Sequence, residues 1–558
     1  MKNRNYFLIF IFACCSGVVC TAEGQNKNKH YIKNRIMTTE DGNSFREKVL
    51  YYDIFGKHTE TVQVGASPQG KDLHFTFGYD ILDRPVSESL PLPDGNRNYY
   101  GDAYYYSGCV YGNSSLNRIR ESYGPGAAWR DNGKSIKTEY LVNADSGDLS
   151  CAEFRAEDNG EDVRLIRSGL YAAGELSVAR TTDEDGKVVY TFTDFEGKLL
   201  LTRRMNGTEP HDTYIVYDDR GRKRIVLPPL AADELTATAS WGCNSSEVIK
   251  KYGYVYRYDG RDRVIEKKLP GCDPVHFVYD RSDRLILKQN GNNRKDGVWQ
   301  YYQYDGLGRE VIWGVLPSSA GREDWEVIFR DTVCCERFIG LGQDGNFGYT
   351  NTAAFNESRT PLIVSYYDSY AFEALSDSFL TYVDKPDFGK RIERPSGKLT
   401  GQIIALLNNP ELKEHVTLYY DNRGRVIQTN ACSVSGFHNY SFTKYNFIGQ
   451  PISVRKEHYS IYPAKAILEP EATYDHTIVY DYEYDHAGRV TRLYQTFDKN
   501  ERIKIAEYRY DEAGRLVGKV LHDGKFDCKY DYNIRGWLTE IDEPFMNEKI
   551  YYNEDLPE

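Results

Sequence analysis

A chain of 558 residues exceeds one ordinary domain, and its formal net charge of −12 argues against a nucleic-acid or anionic-membrane surface. Forty-seven tyrosines, punctuated by 47 glycines and 20 prolines, point to an all-β chain of strands joined by tight turns.

The chain opens with Lys2 and Arg4 ahead of an apolar run from Tyr6 to Val19. The run is too short to span a bilayer and has the layout of a secretory signal, with small residues at Ala22 and Gly24 suited to cleavage. Residues 1–24 therefore read as a signal peptide, and the mature chain is expected outside the cytoplasm, extracellular or at the cell surface. Lipidation at Cys14 or Cys20 is the alternative, and the bulky Val19 before Cys20 speaks against it. No later segment is apolar for long enough to span a membrane.

Residues 25–95 hold two copies of a short unit that recurs to the end of the chain. Its clearest form is Tyr508 to Val517, Y-R-Y-D-E-A-G-R-L-V. Two tyrosines at i and i+2 share one side of an extended segment. An Asp that accepts from the turn's own backbone and a Gly that takes φ > 0 then close a hairpin. The leading tyrosines are Tyr52, Tyr79, Tyr217, Tyr258, Tyr279, Tyr304, Tyr420, Tyr445, Tyr484, Tyr510 and Tyr532. Asp follows each, as in Asp259, Asp305, Asp421, Asp485 and Asp511, except where Asn446 and Asn533 stand. The Gly slot holds Gly56, Gly221, Gly308, Gly424, Gly449, Gly488, Gly514 and Gly536, and in three copies Asp83, Asp262 and Asp283, since Asp also tolerates the left-handed region. The next slot is Arg in eight of eleven copies, among them Arg309, Arg425, Arg489 and Arg515. Adjacent copies 21 to 26 residues apart mean one hairpin plus a return turn, a repeat architecture.

Between the clear copies, residues 96–200 are irregular. Thr182–Val188 (T-D-E-D-G-K-V) and Phe192–Lys198 (F-T-D-F-E-G-K) look like copies that have lost the Tyr. This divides the chain into the signal peptide, an N-terminal β domain with degenerate repeats (25–230), a repeat array (231–315), an irregular insertion (316–415) and a second, open-ended array (416–558). In the insertion, Phe372, Leu375 and Phe379 are spaced for one helical face, as are Ile403, Leu406 and Leu407 after Thr400 as a cap, so a small α/β element or a worn stretch of repeat is expected. At the end, Trp537, Leu538, Ile541 and Phe545 are apolar where an array needs a polar cap, and Ile550–Asn553 begins a strand without a return. An open C-terminal edge follows, to be completed by a downstream segment, a cargo or a second chain.

The Tyr-Asp-x-x-Gly-Arg unit resembles the YD repeat of RHS proteins, large secreted or surface proteins often linked to toxin delivery and cell contact. Thr61–Gly70 (T-V-Q-V-G-A-S-P-Q-G), Tyr123–Trp129 (Y-G-P-G-A-A-W) and Asp212–Leu235 with L-P-P-L-A-A-D-E-L resemble an N-terminal domain of unknown function that opens one bacterial RHS subgroup. The resemblance implies a β-sheet spiralling into a partial shell that shields a cargo or mediates contact. Complete members end in a core motif with paired aspartates and a variable toxin, neither of which this sequence shows.

Chemistry-bearing residues form no catalytic constellation. The 82 Asp and Glu include the repeat's turn residues, and nothing brings two particular carboxylates together. Asp183-Glu184-Asp185-Gly186 resembles the start of a calcium loop without its later ligands, and a solvated turn explains it better. No metal, cofactor or nucleotide motif appears. The eight cysteines after the signal lack metal-site spacing. Cys243–Cys272 is the disulfide to test, with buried thiols as the alternative. The reading is a non-catalytic scaffold, with a glycan-binding surface of tyrosine faces or an unrecognised hydrolase as alternatives. The repeat tyrosines are expected to pack as a cross-strand ladder, with the repeat Arg over a neighbouring ring.

Overall fold

The computed structural model describes residues 18–22, 30–160, 162–340, 346–353, 355, 358–375, 381–435, 437–460 and 474–552. Residues 1–17 of the signal segment, Gly24, Phe379 and Asn553 fall outside them. The chain is all-β, and it divides into two compact units that cut across the blocks read from the sequence. One gathers Met1–Ser135, Ser378–Lys398 and Val416–Glu558, the other Ile136–Asp377 and Leu399–His415.

The second unit begins as a meander. Ile136–Val142 pairs with Ser177–Thr182, and then Val188–Thr193, Leu199–Asn206, Glu209–Tyr217 and Lys223–Leu227 follow, each antiparallel to the one before. A separate three-stranded sheet, Ala152–Asn159, Asp162–Leu170 and Ser240–Gly242, lies over it. Leu165, Phe192, Leu201, Ile225 and Leu227 fill the space between the two sheets with no exposed surface. The meander then continues through the repeat hairpins from Tyr254–Tyr258 to Glu310–Pro317. Strand Val298–Tyr304 shows the period of two directly: Trp299, Tyr301 and Gln303 are buried, and the residues between them half-buried.

Past Pro317 comes one helix, Arg322–Phe329, after which Thr360–Tyr367 and Leu399–Leu406 extend the same ladder. The helix expected at Ile403, Leu406 and Leu407 is thus a strand. Its residues alternate between buried and half-buried, Ile403 pairs with Val364, and the Thr400 hydroxyl donates to the carbonyls of Tyr366 and Ser369 instead of capping. Phe372 and Leu375 lie in a short 3₁₀ turn, Ala371–Leu375.

In the first unit, Val18–Ala22, His30–Met37, Phe45–Tyr52, His58–Val64 and Leu73–Tyr79 pair in sequence. Val426–Cys432 starts a second run of hairpins that ends with Leu538–Glu543 against Met546–Lys549. Among the described residues the last strand is therefore Met546–Lys549, earlier than the expected Ile550–Asn553. Ile550 donates its amide back to Thr539, and the Tyr552 hydroxyl donates to Leu538.

The eight cysteines after the signal are free thiols. Cys243 is buried with its amide on Val163, whereas Cys272 is exposed in a surface turn, so the expected Cys243–Cys272 bridge is not formed. No described helix is long and apolar enough to cross a membrane.

Candidate functional site: the tyrosine–arginine turn ladder

Each repeat turn is built the same way. In the copy at Tyr510, the Asp511 amide donates to the Arg515 carbonyl at 2.9 Å and the Gly514 amide to the Asp511 carbonyl at 3.0 Å. Asp511 Oδ1 accepts the Arg515 amide at 2.8 Å, and Oδ2 accepts Arg515 Nε at 2.7 Å. One carboxylate thus closes the turn and fixes the arginine. The register shifts at Tyr510, which pairs with Leu516, so a bulge lies beside the turn. All eleven Gly-slot residues take φ > 0, from +62° at Asp262 and Asp283 to +89° at Gly449 and Gly514. In all eleven, the Asp or Asn side chain accepts the amide four residues on. Asp183 and Asp194, in the copies without Tyr, do the same, which makes Asp183–Gly186 a turn.

The tyrosine joins one repeat to the one before. Tyr258 donates its hydroxyl to the carbonyl of Lys223, Tyr304 to Leu285, Tyr484 to Pro451 and Tyr510 to Val490, at 2.7–2.9 Å. In each of these the acceptor is the residue just past the preceding Arg slot. Tyr79, Tyr279, Tyr445 and Tyr532 follow the rule with His58, Val264, Val426 and Leu516. At Tyr420 the ring is buried, and Lys398 takes the arginine's place 5.9 Å from its centroid. Burial pushes the phenols of Tyr258 and Tyr304 up, so both stay protonated donors.

The arginine completes the link. Arg425 Nη1 donates to the carbonyl of Asn446, and Arg515 Nη1 to that of Asn533, each the Asp position of the next repeat. The same guanidinium lies over the next tyrosine: Arg425 is 4.9 Å from the Tyr445 centroid, and Arg489 is 5.5 Å from Tyr510. Arg309 bonds Asp305 and, through both terminal nitrogens, Asp368. The expected Tyr-on-Tyr ladder is thus an alternation of Tyr and Arg. At Asp259, burial pushes the carboxyl up, but the Arg263 amide and guanidinium outweigh it and hold the group below its ordinary value.

Besides Tyr552, which donates to Leu538 just past the Trp537 slot, two tyrosines that the repeat spacing misses obey the rule. Tyr111 donates to Pro85 with Arg84 4.4 Å from its ring, and Tyr367 donates to Glu310 with Arg309 at 4.4 Å. Neither is followed by the Asp-x-x-Gly spacing. After Tyr367, Asp368 takes φ +67° itself. A search for Tyr one residue before any Gly or Asp turn signal would have found both.

A cleft of about 560 Å³ adjoins the turn at Asp421. Four of its charges are paired, Arg391 with Glu393 and Arg425 with Asp421. Among the described residues, no cluster of His, Cys, Asp and Glu could hold a metal ion.

Residues 25–142 match the model of a domain of unknown function, DUF6443. The match takes in Thr61–Gly70 and Tyr123–Trp129; Asp212–Leu235 lies beyond it. Salivary gland surface protein 1 of Aedes aegypti is 22% identical over 542 residues, which cover 92% of this chain and 14% of that protein. Among solved structures, TcdB2-TccC3 without its hypervariable C-terminal region aligns over 92% of this chain and 24% of its own, at 11% identity and a TM-score of 0.42. The TcdB2-TccC3-Cdc42 structure aligns over 93% of this chain and 27% of its own, at 12% identity and a TM-score of 0.36. The chain therefore spans a small part of the length of the proteins it is similar to.

Proposed function

We propose that this chain is a non-catalytic, exported scaffold of the RHS type, a wall of hairpins that shields a cargo or presents a surface in cell contact. The observation that carries the reading is the fate of the repeat's polar groups. Tyrosine hydroxyls, aspartate oxygens and arginine nitrogens are engaged in closing turns and joining successive repeats. Groups spent on the frame in this way are poor candidates for acid–base work, which needs a carboxylate or imidazole free to exchange a proton with a substrate. The surface placement named for the insect relative supports export. The strand Met546–Lys549 supports a partner at the C-terminal edge, whether a downstream repeat segment, a toxin cargo or a second chain. All four of its residues are exposed.

Fractionation of the source cells with N-terminal sequencing tests export. A mature chain that begins near residue 23 to 25, recovered outside the cytoplasm, is expected; Met1 intact on a cytosolic protein overturns the reading. Turnover in a screen of polysaccharide and peptide substrates would instead favour a hydrolase, and specific hits on a glycan array an adhesin.

A further inference from the structure

Turn chemistry leaves two residues of the repeat unspecified, those between the Asp and the Gly. In the last three turns they are His486–Ala487, Glu512–Ala513 and Ile534–Arg535. Each of these turns lies against residues 46–130 of the same unit, at sequence separations of 410 to 441.

At the first turn, His486 Nε2 donates to the Gly65 carbonyl, and Arg46 Nε donates to the His486 carbonyl at 3.4 Å. The Arg46 guanidinium also occupies the space a Cβ at Gly488 would need. At the second turn, Lys71 Nζ donates to Glu512 Oε1 at 2.8 Å, and Arg515 lies 5.9 Å from the Tyr100 ring centroid. At the third, Arg535 Nε donates to the Pro125 carbonyl at 3.0 Å and its guanidinium lies 3.9 Å from the Trp129 centroid. Trp129 meets Trp537 edge-on at 5.5 Å. The two glycines of Y-G-P-G-A-A-W make the room for this. A Cβ at Gly124 would come to 3.0 Å from Arg535, and one at Gly126, where φ is +110°, to 3.0 Å from Ile534.

The seats follow the chain in the same order as the turns. At each seat the first variable residue meets matching chemistry: an imidazole N–H on a carbonyl, a carboxylate on an ammonium, an isoleucine on a bare glycine. Read along the eleven copies, that position is Ile54, Ile81, Asp219, Gly260, Arg281, Gly306, Asn422, Phe447, His486, Glu512 and Ile534, so the series His-Glu-Ile occurs once.

We infer that residues 46–130 form a recognition surface for a row of three repeat turns, and that the first variable residue of each turn is its address. The ligand class is a series of β-hairpin turns carrying His, Glu and Ile at that position; here the chain's own C-terminal repeats supply it. This assigns the matched N-terminal domain a binding role that stands whether or not the chain is exported or shields a cargo.

The test uses the full chain and amide hydrogen exchange. Exchanging two addresses, His486→Glu with Glu512→His, keeps composition and every turn-forming Asp, Gly and Arg. Amides of the turns at Asp485, Asp511 and Asn533 are expected to exchange ~3–5-fold faster. The turn Asp421–Arg425 serves as the unchanged control. Trp129→Ala, which alters no turn, is expected to speed exchange at residues 533–537 by ~5-fold or more. Lys71→Glu is expected to loosen residues 511–515, and Lys71→Glu with Glu512→Lys to restore them. Unchanged protection in the address swap, or a charge reversal that fails to restore it, overturns the inference.

Discussion

Gly514 shows why the repeat needs its glycine. Its φ of +89° is strained for any residue with a Cβ, and that atom would come to 2.8 Å from Arg489 Nη1. Gly514→Val is expected to lower stability by about 1–2 kcal/mol, read as a lower melting midpoint. Tyr510→Phe keeps the ring under Arg489 but leaves the Val490 carbonyl without its donor, an expected loss of ~0.5–1.5 kcal/mol in urea unfolding. An unchanged midpoint in either variant would contradict these roles. Both roles are partly legible in the sequence. The Asp and the Gly act on their own turn, so their spacing carries their geometry. The tyrosine's acceptor is a backbone carbonyl in the preceding repeat, and no residue type marks a carbonyl.

At the scale of one hairpin, the aspartates tie stability to pH. The carboxyl of Asp259 is pushed up by burial, yet the Arg263 amide and guanidinium hold it below the ordinary value, and Asp218 behaves likewise with Arg222. A depressed folded pKa stabilises while the group is ionised. That contribution is in place above the unfolded value of about 3.9 and is lost as pH falls from there through the lower folded value. The urea midpoint should accordingly drop on acidification below about pH 4, and Asp259→Asn should flatten the dependence. The turns at Asn446 and Asn533 already accommodate an amide. Hairpins of this kind were readable in advance because the hydrogen bonds that make them are local. Leu399–Leu406 was not. Ile403, Leu406 and Leu407 satisfy a helical spacing, but pairing with Thr360–Tyr367 decides the segment, and that partner lies some forty residues away. The seats for His486, Glu512 and Ile534 were hidden for the same reason, since each joins residues over 400 apart.

For the molecule as a whole, the exposed end of the C-terminal array sets how chains meet. Trp537 is covered by Trp129 and Arg535, but Phe545 is 86% exposed beside Met546–Lys549. The outer side of that strand has no partner among the described residues. Such an edge can template another strand. Residues 25–558 expressed alone are expected to self-associate at tens of micromolar, and Phe545→Ser to weaken that association. Light scattering that finds a stable monomer for the parent chain would show the edge to be closed.

The tyrosine's hydrogen bond also bears on how such a chain gains and loses length. Its acceptor stays fixed just past the preceding Arg slot, while the sequence distance to it runs from 14 residues at Tyr552 to 57 at Tyr367. The joint between repeats is therefore indifferent to what is spliced into the return segment. A whole unit can be duplicated or excised between two tyrosines, and the next hydroxyl still finds a carbonyl beside an arginine. Copy number is an editable quantity in this architecture, and inserted material is directed to the loops opposite the turns.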